Sequence, residues 1–210
     1  MAGALIGLLV SFSLSPAAAF GVQAPSGTVT PPLSNGFGFH VPGPTLQAPA
    51  ETQDTALPVI RRDLASLPPA VAAMREKIIA AAKSGDYEQM RRVIGLSDPA
   101  PALSSTGEGD PIEAMRSAAG DPDGLEILAI LLDILDAGWV VKDEGKPQAR
   151  YIWPWFAEYP PDALTPPQLV EAYRILTAGD FEQMRADGSY EFYRVEIAAD
   201  GRWLLFMSGE

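Results

Sequence analysis

The chain has 210 residues, room for one sizeable core by the usual ~100–200 residues per domain. It contains no cysteine, which excludes disulfide staples, thiolate metal sites and thiol catalysis. A net charge of −12 is a poor match for nucleic acid, whose phosphates need cationic partners.

The first basic residue is Arg61, and before it only Glu51 and Asp54 are charged side chains. Residues 4–14 form an apolar run that contains Leu5, Ile6, Leu8, Leu9, Val10, Phe12 and Leu14, followed by Pro16 and Ala17-Ala18-Ala19. An apolar stretch, a helix breaker and small residues at an A-x-A site predict a secretory signal over residues 1–19, cleaved before Phe20. The departure is Met1-Ala2-Gly3, which lacks the usual Lys or Arg; a start upstream of Met1 would account for it. The run falls well short of the ~20 residues of a membrane span. The expected product is therefore an exported protein, periplasmic or extracellular, with no membrane span once the signal is removed.

Residues 20–65 mix Pro25, Pro31, Pro32, Pro42, Pro44, Pro49 and Pro58 with Gly, Ser and Thr, and no apolar period persists. Such a composition cannot bury enough surface to offset its ordering entropy and predicts a disordered linker. Gly36-Phe37-Gly38-Phe39-His40 is its one aromatic cluster, either incidental or a short docking motif. The only histidine, His40, lies here, so a Ser/His/Asp triad within the folded part is excluded.

Residues 66–210 predict a single α+β domain of about six helices packed on a small antiparallel sheet. Ser66 precedes Leu67-Pro68-Pro69 and the helical spacing of Val71, Met74, Ile78 and Ala82, with Gly85 as the stop. Asp86, with Gln89 three residues on, caps a second helix; Asp110-Pro111 opens a third. Asp123-Gly124-Leu125-Glu126 opens the fourth, which is apolar nearly all round and so is expected to be buried nearly all round. Trp139-Val140-Val141 and Arg150-Tyr151-Ile152-Trp153 flank a turn-rich stretch and read as a hairpin. Thr165-Pro166-Pro167-Gln168 starts a fifth helix, and Asp180 is expected to cap a sixth. Alternation from Tyr190 to Ile197, the Asp200-Gly201 turn and Trp203 to Met207 make a second hairpin. The two should join, because a lone hairpin is marginal in water.

The phrase Ser84-Gly85-Asp86-Tyr87-Glu88-Gln89-Met90-Arg91 returns as Ala178-Gly179-Asp180-Phe181-Glu182-Gln183-Met184-Arg185, identical at six of eight positions. The residues after the two copies differ completely. Convergent chemistry for a tight helix-to-helix corner is one reading, and an old duplication the other.

Three constellations compete for a functional role. Tyr151, Trp153, Trp155 and Tyr159 could form a stacking platform for sugar rings or proline-rich peptide, or simply fill the core; Pro154 must end the strand, because it cannot donate to a ladder. Glu158 and Asp162 border that segment and are the pair to test for carboxylate-dependent hydrolysis, which needs two acids across a cleft. Glu126, Asp133 and Asp136 share a stripe of the fourth helix, either its solvent edge or an acidic face for a cationic partner. No metal site is expected: Asp121-Pro122-Asp123-Gly124-Leu125-Glu126 resembles part of a calcium loop but lacks its later ligands. No cofactor is expected.

From Met74 onward, Ala81-Ala82-Lys83-Ser84-Gly85-Asp86, Leu128-Ala129-Ile130-Leu131-Leu132-Asp133-Ile134-Leu135, Tyr151-Ile152-Trp153-Pro154-Trp155-Phe156, Leu164-Thr165-Pro166 and Asp200-Gly201-Arg202-Trp203 resemble a group of uncharacterised exported bacterial proteins. The resemblance covers about two thirds of the chain and implies one domain, with no activity or ligand attached. The sequence thus favours a non-catalytic binding or interaction domain at the cell envelope, with an envelope component or a basic protein as partner. The alternatives are an exported hydrolase using Glu158 and Asp162, and a purely structural envelope protein.

Overall fold

The computed structural model describes residues 56–107 and 109–209. The expected signal at residues 1–19, and residues 20–55 of the expected linker, lie outside the described residues. The described residues form six α-helices and a four-stranded antiparallel sheet: α1 Pro69–Ser84, α2 Tyr87–Ile94, α3 Pro111–Ser117, α4 Leu125–Asp136, β1 Val140–Lys142, β2 Arg150–Trp153, α5 Pro166–Ala172, α6 Ala178–Asp187, β3 Arg194–Ala198 and β4 Trp203–Met207. This is the α+β fold that the capping and alternation patterns predict. The strand order is β1-β2-β3-β4, two hairpins joined through β2 and β3. Among the described residues no helix is long and apolar enough to cross a membrane.

The sheet separates two cores. Alternation sends Val141, Tyr151, Trp153, Val195, Ile197 and Phe206 to one face, where they pack with α1 to α4 around the fully buried Ile78, Leu131 and Ile134. It sends Val140 and Ile152 to the other, where Trp155, Phe156, Leu176, Phe181 and Met184 cover them. Gly201, in the β3–β4 turn at φ +91°, lies so close to α1 that a Cβ would meet the Ala70 carbonyl oxygen at 2.8 Å. Glycine is therefore required both for the turn and for that approach.

Several local expectations are corrected. The folded chain begins ahead of Ser66: Arg61 and Trp139 exchange two backbone hydrogen bonds of 2.8 Å, and the Tyr159 hydroxyl donates to the Pro58 carbonyl. Asp63 caps a single 3-10 turn, Leu64–Ser66, and α1 starts only at Pro69. At α4 the N-cap is Gly124 in the left-handed region, and Asp121, not Asp123, accepts from the N–H groups of Asp123, Leu125 and Glu126. Those backbone donors, with that of Glu126 strongest, hold the Asp121 carboxyl below the usual range. Nor is α4 buried all round, since Leu125 is 50% exposed at its free end.

The repeated phrase builds two different structures. In the first copy Gly85 adopts φ +65° and Asp86 caps α2. In the second, Thr177 lies just upstream and takes the cap, so Gly179 and Asp180 fall inside the first turn of α6. Asp180 then answers as the third residue of a capping box, receiving the backbone N–H of Thr177.

Candidate functional site

The aromatic segment is core. Pro154 ends β2 as expected, and the chain turns at once into a short 3-10 helix, Trp155–Glu158. That turn breaks the alternation, so Trp153 points to the helical core whereas Trp155 joins Ile152 in the second core. Both indoles are fully buried, and Trp155 packs edge-on against Phe156 at 5.3 Å and Tyr159 at 4.9 Å. Gly138 makes space for it, since a Cβ there would lie 2.9 Å from the Trp155 ring. Tyr151 is half-buried against Trp139, with ring centroids 5.6 Å apart. With these rings turned inward, no open stacking platform is formed by Tyr151, Trp153, Trp155 and Tyr159.

The suggested carboxylate pair is not brought together. Glu158 accepts from Lys142 Nζ at 3.2 Å, whereas Asp162, exposed in the next turn, accepts from Arg185 Nε at 2.9 Å. On α4, Glu126 is exposed but tied to the Gly120 N–H, Asp136 stands 3.6 Å from Arg174, and Asp133 is exposed beside them. Among the described residues no group of three or more His, Cys, Asp or Glu side chains is arranged to hold a metal ion.

The structure assembles a different site, on the second face of the sheet. Period-2 alternation places Lys142 of β1, Arg150 of β2 and both Arg194 and Glu196 of β3 on the face that carries Val140 and Ile152. The aromatic turn and α6 cover the apolar half of that face. The charged half floors a cavity of about 490 Å³, walled by Glu158, Tyr159 and the 188–190 segment. Its size is that of a small-molecule pocket.

Glu196 organises the floor. It is 4% exposed, accepts from Arg150 Nη1 at 2.9 Å and stands 3.4 Å from Arg194 Nε. A carboxylate this deep persists only if paired, and here it is paired twice. Arg194 is the less satisfied partner. Its side chain is 18% exposed, and its Nε is buried without a hydrogen-bond acceptor among the described residues. Lys142 and Glu158 form the rim pair. On the wall, burial pushes the Tyr190 phenol far up, and its hydroxyl donates to the Tyr193 carbonyl. It is a neutral structural group.

Three cations and two carboxylates therefore meet in one hollow of a chain that is strongly acidic elsewhere. Neither the aromatic segment nor the Glu158/Asp162 pair points to it. The legible signal is three of the few basic residues placed at strand positions of one parity, and it becomes a site only through the β2–β3 register.

No protein-family model, curated protein or solved structure matches this chain. What the fold and the pocket define is a class: an α+β domain with a half-enclosed, cation-rich pocket on a sheet face.

Proposed function

We propose that the chain is an exported, non-catalytic binding domain of the cell envelope and that its recognition site is the Lys142–Arg150–Arg194 pocket. The observation that carries this reading is Arg194. Its Nε–H is buried beside Glu196 with no hydrogen-bond acceptor among the described residues, in a side chain that lines the pocket, and a buried donor left unmatched is costly. The other candidate surfaces fall away: the indoles are occupied by packing, and the α4 carboxylates have partners nearby or lie open to solvent. The hydrolase alternative loses support, because Glu158 and Asp162 each pair with a different cation and Asp162 does not line the pocket. Glu158 and Glu196 do share the pocket, but each is held by a cation, Lys142 and Arg150 respectively.

The test uses the full chain with its N-terminal region, recovered from outside the cytoplasm and examined by native mass spectrometry after incubation with an envelope extract. A retained small molecule is expected in the wild type and in the control Arg92→Met, on α2 at the other core, with loss in Arg194→Met. Equal retention in all three would overturn the pocket. Retention lost only in an Asp133→Asn/Asp136→Asn double variant would instead support the acidic face. Fractionation of the same cells tests export, for which an N-terminus near Phe20 is expected; a chain found only in the cytoplasm would overturn it.

A further inference from the structure

Resting on that reading, we infer that the pocket binds a small organic molecule through a single carboxylate, and that it discriminates against dianions. Lys142, Arg150 and Arg194 face Glu158 and Glu196, leaving one excess positive charge in the cavity. A half-enclosed site favours the ligand that brings its charge to zero, because unbalanced charge held away from water is expensive. One negative group does this. A phosphate monoester or a dicarboxylate would leave the cavity negative, inside a chain whose net charge of −12 already repels anions.

Geometry points the same way. Arg150 and Arg194 lie on neighbouring strands and approach Glu196 by different atoms, Nη1 at 2.9 Å and Nε at 3.4 Å. Glu196 thereby holds two planar forks on one floor, and planar forks match the two oxygens of a carboxylate. Glu196 is a positioning residue and does not itself contact the ligand. A carboxylate alone would occupy little of a cavity of about 490 Å³. The remainder of the ligand lies along the wall that Tyr159, Ser189 and Ala157 provide, a mixture suited to a polar organic body.

The inference is tested on the full chain at pH 8 by NMR titration of backbone amides and arginine Nε–H resonances. The probes are N-acetylalanine, its neutral methylamide, succinate and inorganic phosphate. N-acetylalanine is expected to shift the Arg194 and Arg150 Nε–H signals, with the methylamide, succinate and phosphate each binding at least ~10-fold more weakly, the scale of a lost charge-assisted hydrogen bond. Arg194→Met should weaken N-acetylalanine by ~10- to 100-fold, and Arg194→Lys, which keeps the charge and loses the fork, by a large part of that. Lys142→Met changes an exposed residue and guards against a folding failure at Arg194; a small weakening, ~2- to 5-fold, is expected. Glu158→Gln raises the cavity charge by one and should move the preference toward succinate and phosphate. Dianions binding as tightly as N-acetylalanine to the wild type, or the methylamide binding equally, would overturn the inference. So would the absence of shifts with every probe; a molecule retained from the envelope extract in an Arg194-dependent way would then leave the binding reading standing without it.

Discussion

The two faces of the sheet come from the same four strands and differ in what they are asked to hold. The helical face is apolar at every strand position that alternation gives it, from Val141 to Phe206, and α1 to α4 seal it. The second face is apolar at Val140 and Ile152, where the aromatic turn and α6 lie, and again at Ala198, Leu205 and Met207, but charged at Lys142, Arg150, Arg194 and Glu196. Both faces sit on the same strands, whose pairing is irregular at one point, between Glu196 and Ile197 of β3. Burial alone therefore does not distinguish core from site here: Glu196 is as buried as much of the core, and its two arginine partners are what mark it.

The tryptophans should respond most strongly. Trp153→Ala and Trp155→Ala are each expected to cost ~3–5 kcal/mol in urea unfolding, as large-to-small changes in filled cores do. A Trp155→Ala protein of unchanged stability that lost ligand retention would return the aromatic segment to the surface and erase the division between the faces.

Next in size is Glu196→Gln. Removing the charge leaves two guanidinium groups around a neutral amide, with an expected loss of ~1–3 kcal/mol by the same measurement. Its near-neutrality would mean that solvent already satisfies the floor and that the two faces differ less than the burial of Glu196 implies.

Lys142→Met approaches the contrast from the other side. Half its side chain is exposed, so the Lys142–Glu158 pair contributes ~0–1 kcal/mol and unfolding should barely change, although ligand retention falls. A large loss of stability would place the rim with the core.

The smallest effect lies off the sheet and depends on pH. Asp121 is held below the ordinary carboxylate range by backbone donors, so the unfolded chain takes up its proton first on acidification. Its contribution is complete above about pH 4, the unfolded-state value, and is lost as pH falls through the lower folded value. Asp121→Asn should therefore be less stable than wild type at neutral pH, with the gap closing below about pH 4 in urea unfolding. A gap that stays constant with pH would assign the effect to geometry alone.

Much of the fold is legible along the chain because its signals are local. Asp86 and Asp110 begin helices by accepting from N–H groups two or three residues on, and Gln168 reaches back to the Thr165 N–H at the start of α5. Asp200-Gly201 turns a hairpin, and Pro154 ends a strand by lacking a donor. The failures are also local signals, but ones with a stronger competitor: Asp180 yields the cap to Thr177, and Asp123 yields to Asp121.

The α+β class, the two hairpins and the chemistries that the chain lacks could be read from the residues alone, since cysteine count, period and capping need no knowledge of distant contacts. Tertiary packing was needed to show that Trp153 and Trp155 face opposite cores, that residues 58–61 belong to the folded unit, and that Arg150 meets Glu196. The last two depend on contacts between residues far apart in the chain, Pro58 with Tyr159 and Arg150 with Glu196. Strand register sets which side chains share a face, and register between β2 and β3 follows from packing on both sides of the sheet rather than from any turn that joins them.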